Sequence, residues 1–198
     1  LECPLGEGYP FDKKKMSLKR AGNIVYAKDE DIDKLKNLQV DIVSLANNHI
    51  FDLSKEGFLN TLKLLESNNI KYFGAGKNIT EASSPIVASI KGKKIGFLSF
   101  MPTGWMAPHY PSAKEPGINY LQIEQAVSDI TDLKRKVDYV FVFMHWGNEH
   151  SYFPDKSNYF EAKKMLDSGA DAIIGAHPHC VQPVISYKGK PIFFRLGK

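Results

Sequence analysis

The chain has 198 residues, 43% of them apolar and 24% charged, with a net charge of +4. That length suits one sizeable α/β domain and is too short for two, so residues 1–198 are expected to form a single domain. The mild positive charge comes without a Lys/Arg stripe interleaved with aromatics, which argues against a nucleic-acid partner and leaves an anionic substrate open.

Two cysteines far apart, Cys3 and Cys180, exclude a disulfide scaffold or a zinc ribbon. No hydrophobic segment approaches the length of a membrane span. The densest basic run, Lys13-Lys14-Lys15, reads as a solvated loop. The chain begins at Leu1 rather than Met and stops at Lys198, directly after a strand-like run. A fragment truncated at both ends is therefore expected.

Taken in order, Leu1 to Leu5 reads as the tail of a strand, broken by Gly6, Gly8 and Pro10. Ile32, Leu35 and Leu38 at helical spacing predict a short helix over 29–38. Val40 to Ser44 is a β-branched, apolar strand that ends in Asn47-Asn48-His49 and Asp52. Phe58, Leu59, Leu62 and Leu65 then predict a helix over 54–68. Ile70 to Phe73 is a short strand, and Gly74-Ala75-Gly76 reads as a loop.

Pro85 to Ile90 and Ile95 to Phe100 predict a hairpin, and 101–117 a long irregular loop of the kind that often carries function. A helix is expected over 122–137, followed by a buried strand from Tyr139 to Met144 that runs into His145-Trp146-Gly147. Another helix spans 155–168, with Gly169 placed to end it. Ala172 to Gly175 is a strand leading into His177-Pro178-His179. Val184 to Tyr187 and Pro191 to Leu196 make a second hairpin around Gly189. Helices alternating with strands, plus two hairpins, predict a layered α/β fold with a mixed sheet.

Three strands thus end in histidine-bearing loops, where open α/β sheets gather their ligands. One histidine at a strand end is usually a hydrogen-bonded core residue, and Asn47 and Asn48 are good turn formers. Four histidines at three strand ends favour a transition-metal site instead. His177 and His179, two apart, project to one side if the backbone is extended, as the residue before Pro178 should be.

The blocks Ser44-Leu45-Ala46-Asn47-Asn48-His49 with Asp52, His145-Trp146-Gly147-Asn148-Glu149 and Gly175-Ala176-His177-Pro178-His179 resemble those of the CapA-type proteins of poly-γ-glutamate capsule synthesis. Gly74-Ala75-Gly76 with Glu81-Ala82, and 191–197, extend the likeness over nearly the whole chain. That family sits in the calcineurin-like metallophosphoesterase superfamily, so the resemblance implies an α/β/α sandwich of that type, here without its first strand.

Carried over by position, the resemblance implies that Asn48 ligates a metal through its amide oxygen while His49 faces the substrate as the catalytic imidazole. His145 and His177 would hold one ion and His179 the other, with Glu2 where the superfamily places its bridging aspartate. The family's first strand with its Gly-Asp block is missing before Leu1, and the usual Leu-Gly-Asn-Phe close is replaced by Leu196-Gly197-Lys198. The fragment is therefore expected to bind metal weakly or leave the site unoccupied.

Two ions about 3.5–4 Å apart can clamp a phosphoryl or carbonyl centre. Mixed His, Asn and carboxylate ligands suit zinc, manganese or iron. Asn47, Asp52, Trp146 and Glu149 are expected around the ligands or against substrate, with Glu149 fixing a neighbouring histidine. Tyr152 and Phe153 would wall the site or, for Phe153, pack in the core. His109 and His150 could reach it from loops, though each alone is more often a solvated histidine. Cys3 and Cys180 are expected to be inert thiols pointing away.

The expected function is a metallophosphoesterase-like hydrolase or transferase acting on an anionic polymer, or on another phosphoester or amide. The alternative is a non-catalytic subunit of a membrane capsule-synthesis complex that keeps the fold. An extracytoplasmic, membrane-anchored position on the bacterial cell surface follows from the resemblance alone.

Overall fold

The parallel pairing of β7 (Tyr139–His145) with β8 (Ala172–Ala176) sets the geometry of the larger sheet. The chain was described by a computed structural model covering residues 1–10, 24–103 and 109–197. The Lys13-Lys14-Lys15 run and the middle of the 101–117 segment lie outside the described residues. Two compact units result, Leu1–Ser83 with Thr103–Asn119, and Ser84–Pro102 with Tyr120–Lys198.

In the first unit a 3₁₀ turn, Asp29–Asp31, leads into α1 (Ile32–Asn37). β1 (Ile42–Ser44) then pairs in parallel with β2 (Lys71–Phe73). The crossover between them is α2 (Ser54–Ser67), whose Phe58, Leu62 and Leu65 are fully buried. Their i, i+4, i+7 spacing is the stripe that predicts the helix.

Thr61, on the same helix, is buried too, and its Oγ1 accepts the Leu5 N–H at 2.8 Å. Asn60 donates to the Leu5 carbonyl at 3.1 Å. These bonds satisfy the Leu5 backbone, which among the described residues otherwise has only an isolated bridge to Ala27.

Two short elements escape the sequence pattern. β3 (Ala75–Gly76), read above as loop, pairs antiparallel with β6 (Gly117–Ile118). Two residues carry no period, so only the tertiary approach creates this strand. A Cβ on Gly117 would sit 2.3 Å from the His109 carbonyl oxygen, so glycine is what lets the chains meet. α3 (Ile79–Ser83) is too short for an apolar stripe; Asn78 caps it by accepting the Glu81 N–H at 3.0 Å.

The second unit is a six-stranded mixed sheet in the order β4-β5-β7-β8-β10-β9. β5 (Lys93–Phe100), β7, β8 and β10 (Lys190–Phe193) run parallel; β4 (Ile86–Ile90) and β9 (Val184–Tyr187) close the edges antiparallel. Both hairpins turn on Lys-Gly: Lys91 and Gly92 at φ 49° and 77°, Lys188 and Gly189 at 52° and 77°. Positive φ at both central residues gives the twist that paired strands need.

Val140, Val142 and Met144 on β7 alternate inward, as a strand's period of two requires. They pack with Ala126, Ile130 and Leu133 of α4 (Ile123–Lys134) and Ala162, Met165 and Leu166 of α5 (Lys156–Asp167). Gly169 follows α5 at φ 123°. Asp171 fastens the strand start, its carboxylate accepting the Val140 N–H at 2.7 Å and the Lys134 ammonium at 2.8 Å.

Gly175 admits the closest approach in this sheet. A Cβ there would lie 2.0 Å from the Phe194 carbonyl oxygen and 2.8 Å from Trp146 Nε1. Gly175→Ala should therefore cost about 3 kcal/mol in urea unfolding, because backbone and a buried ring must both move. Gly189→Ala meets open space and should cost only about 1 kcal/mol for its left-handed backbone. Equal losses would show that the approach at Gly175 is not tight.

Candidate functional site

In the first unit the carboxyl end of β1 runs into the buried Leu45 and Ala46 and then into the Asn-Asn-His loop. Asn47 builds that loop. It is 3% exposed, its Oδ1 accepts the His49 N–H at 3.0 Å, and its Nδ2 donates to the Leu1 carbonyl at 2.8 Å. This is the turn role that asparagine plays best. Asn48, its neighbour, is half-buried.

The bond from Asn47 to Leu1, with Leu1 N donating to the Ser44 carbonyl at 3.1 Å, lays the segment carrying Glu2 along the end of β1. Glu2, Asn47, Asn48, His49 and Asp52 therefore share one end of the first unit.

His49 is 8% exposed and Asp52 only 1%. Their side chains meet at 2.8 Å, His49 Nδ1 to Asp52 Oδ2, and the same oxygen accepts the Val25 N–H at 2.7 Å. A carboxylate facing Nδ1 favours the tautomer with its proton there, so Nε2 carries the lone pair or, in the cation, the transferable proton. Phe51 stacks on Phe58 at 4.3 Å and on His109 at 4.0 Å, so His109 supports the wall of this loop. Burial raises the pKa of the Cys3 thiol, which fits an inert cysteine.

In the second unit the register of β7 on β8 sets His145 opposite Ala176. His177, one residue further, falls beside His145: their ring centroids are 4.8 Å apart and His177 Nδ1 lies 3.1 Å from His145 Nε2. His145 is 7% exposed and His177 1%. The His177 and His179 ring centroids are 5.8 Å apart, and His177 Nε2 lies 4.0 Å from Glu149 Oε1.

The histidines meet for a reason other than the expected one. His177 has φ 103° and His179 φ 58°, so the segment is not extended and the effect of Pro178 on its predecessor is overridden. Strand register and loop bonding bring the rings together instead. Trp146 N–H donates to the Ala176 carbonyl at 3.1 Å, and His150 N–H to the Pro178 carbonyl at 2.8 Å. The Ser151 carbonyl accepts from Gln182 Nε2 at 2.7 Å and from Cys180 Sγ at 3.0 Å.

Gln182, 3% exposed, is the polar residue that sequence reasoning overlooked. Nothing in its neighbourhood in the chain marks it, because its partner lies 31 residues away. Trp146 is a core residue, 1% exposed, stacked on Phe194 at 6.0 Å. Core packing for Phe153 is corrected: it is 76% exposed and Tyr152 68%, because the loop tip turns both outward. His150 is exposed, its ring 6.3 Å from that of His179.

The donor set can be tested against a metal. Two imidazole nitrogens on one ion, each about 2.0–2.1 Å from it, lie about 3–3.4 Å apart. The 3.1 Å between His145 and His177 fits that separation. Glu149, His177 and His179 form a second group, with potential ligand atoms all within 4.8 Å of one another.

Asp52→Ala would strip the acceptor from the Val25 N–H and the buried His49 Nδ1–H. It should cost about 2–4 kcal/mol in urea unfolding. In ¹⁵N spectra of labelled histidine, the Nδ1–H tautomer of His49 should lose its dominance. An unchanged tautomer ratio would show that Asp52 does not orient the ring.

The chain was compared with known proteins. A family described as bacterial capsule synthesis protein PGA_cap matches residues 1–198. The chain is 31% identical over 192 residues to the capsule biosynthesis protein CapA of Bacillus anthracis, covering 94% of this chain and 46% of that protein. It is 32% identical over 170 residues to the PGA biosynthesis protein CapA of Bacillus subtilis, covering 85% and 44%. The chain thus spans about half the length of these relatives. The structure of the NAD nucleotidase of Haemophilus influenzae superposes with a TM-score of 0.60 at 17% identity, covering 85% of this chain and 32% of that one. That likeness establishes the fold, a mixed α/β arrangement of the calcineurin-like metallophosphoesterase type.

Proposed function

The chain belongs to the bacterial capsule synthesis family PGA_cap, and on that premise we propose that it takes part in making or handling poly-γ-glutamate through metal-dependent phosphoester or amide chemistry. The observation that carries the metal half of this reading is the 3.1 Å approach of His145 Nε2 and His177 Nδ1 at the carboxyl ends of adjacent parallel strands. Two buried imidazoles at that separation match a shared zinc, manganese or iron ion.

His179 adds a third imidazole in the second unit. Glu2 and Asn48 carry the ligand roles that the resemblance implies for the first unit. When bound, such ions supply Lewis acidity toward a phosphoryl or carbonyl oxygen. Orientation and proton transfer are left to the chain's own residues.

His49 suits the proton's path. Asp52 ties down Nδ1, so Nε2 is the atom that donates a proton to the departing oxygen or nitrogen. The imidazolium that donates is stabilised by the same carboxylate until it transfers. A half-buried Asn48 beside a turn-forming Asn47 supports the division of labour between neighbours. Asn47 takes the turn role, and this reading gives ligation to Asn48.

By the same reading the substrate is an anionic polymer or its activated precursor. The protein would work on the outer side of the membrane within a capsule-synthesis complex. Among the described residues no helix is long and apolar enough to cross a membrane.

His177→Ala and His49→Ala should separate the roles when metal content is measured beside phosphodiesterase and amidase activity. His177→Ala should lose metal and turnover together. His49→Ala should keep its metal while kcat falls by roughly 10²–10⁴-fold with little change in substrate binding. Loss of metal from His49→Ala would make His49 a ligand and end this mechanism. If neither change affects any activity or polymer yield, a non-catalytic assembly role replaces it.

A further inference from the structure

The apolar run of β10 ends on a cation. Ile192 and Phe194 are fully buried in the core, while Phe193 and Arg195 are half-buried, so the strand's alternation continues past its last ladder pair. The Gln182 N–H donates to the Arg195 carbonyl at 3.0 Å, which carries the Phe193–Val184 register of β10 on β9 two residues further. On the other side Phe193 pairs with Ile174 of β8, and Ala176 of β8 pairs with His145 of β7.

Continued by two residues, that register sets Arg195, Ala176 and His145 in one row across the carboxyl ends of three parallel strands. Neighbouring strands are about 4.8 Å apart, so the Arg195 and His145 backbones stand about 10 Å from each other. Both residues belong to the face opposite the core side chains of Val142, Met144, Ile192 and Phe194.

Arg195 differs from the other cations of this unit in having no counterion. Arg135 is exposed and meets Asp132 at 3.3 Å, Lys134 meets Asp171 at 2.8 Å, and Lys188 meets Asp167 at 2.7 Å. Among the described residues no carboxylate meets the Arg195 guanidinium, and its Nε is buried with no hydrogen-bond acceptor. A guanidinium is always charged and carries five N–H donors. Withdrawing one of them from water without an acceptor opposes folding, so stability gives no reason for this residue here.

We propose that Arg195 is an anion-binding residue, gripping a carboxylate of the substrate chain beside the histidine end of β7. The planar fork of a guanidinium matches the two oxygens of a carboxylate. The identity of the anion rests on the reading under the proposed function. Each residue of a γ-linked glutamate chain keeps its α-carboxylate on the carbon bonded to the amide nitrogen. A carboxylate at Arg195 and an amide at the His145–His177 end therefore belong to one short stretch of substrate. Arg195 positions that stretch and takes no part in bond breaking.

The surroundings suit such a role. Val181 and Leu196 are 65% and 62% exposed, so this strand end is open to a ligand. Gln182, opposite Arg195, donates to the Ser151 carbonyl at 2.7 Å, and Cys180 Sγ donates to the same oxygen at 3.0 Å. The segment that pairs with Arg195 is thus the fastened one that begins at His179.

Calorimetric titration of the whole chain, with zinc and without it, tests the assignment. The probes are a short γ-linked glutamate oligomer, the same oligomer with its α-carboxylates converted to amides, and inorganic phosphate. Arg195→Gln should weaken binding of the oligomer by roughly tenfold or more, the effect of losing a charge-assisted pair. It should leave the weaker binding of the amide form unchanged. Arg195→Lys should recover only part of the affinity, because an ammonium keeps the charge without the fork. Zinc content should match the wild type in both variants, and neither should melt at a lower temperature, since no partner within the protein is lost.

Equal oligomer affinity in Arg195→Gln and the wild type would overturn the proposal, as would a wild type that binds neither anion. A lowered melting temperature in Arg195→Gln would make the residue structural, and loss of phosphate binding alone would make the anion a phosphoryl group; either ends the carboxylate assignment. The metal reading is decided separately by zinc uptake. If the chain takes up no zinc yet binds the oligomer through Arg195, only the metal reading falls. If it takes up zinc yet binds the oligomer without need of Arg195, only this proposal falls.

Discussion

The parallel pairing of β7 with β8 is the constraint on which the second unit's chemistry depends. It sets Met144 opposite Gly175 and His145 opposite Ala176. Side chains alternate across a sheet, so a slip by one residue would turn His145 into the opposite layer and bury the wrong face of both strands. Gly175 secures the register by allowing Phe194 and Trp146 to close over a position where no side chain fits. The apolar core beneath, from Val140 to Met144 against α4 and α5, makes the same register the one that buries most surface. Site geometry and stability therefore share a cause.

Around that frame, a few buried or part-buried polar groups hold the irregular segments. Asp52 gathers His49 and the Val25 N–H, Thr61 accepts the Leu5 N–H, Asp171 takes the Val140 N–H and Lys134, and Gln182 reaches the Ser151 carbonyl. Each replaces backbone bonding that a loop cannot supply for itself. Their burial raises the stakes, because an unmatched polar group away from water costs more than a satisfied one returns. The loops that bear the histidines are consequently cross-bonded, and the left-handed backbone at His177 and His179 is held by these contacts rather than by local preference.

The likeness to solved structures concerns the fold alone. A fold shared at 17% identity with a nucleotidase transmits the placing of strand ends, not a substrate. Buried imidazoles 3.1 Å apart and a histidine fixed by a buried aspartate are properties of this chain's own residues. They are what the proposed metal and proton-transfer roles rest on.

How much of this was legible in the sequence differs by element. Long, strongly patterned segments determined themselves: the stripe of α2, the apolar run of β7 and the Lys-Gly turns carry their physics within a few residues. The candidate site was legible as far as its residue types and strand-end positions, because Asn-Asn-His and His-Pro-His follow apolar runs. Tertiary structure alone decided the rest. β3 and β6 exist only because distant backbones pair, and Phe153 faces solvent because its loop turns outward. His177 meets His145 through strand register rather than through an extended His-Pro-His segment, and Gln182 matters through a partner 31 residues away. Local sequence encodes periodicity and turn preference; which loops touch is set by long-range pairing, whose partners no short window contains.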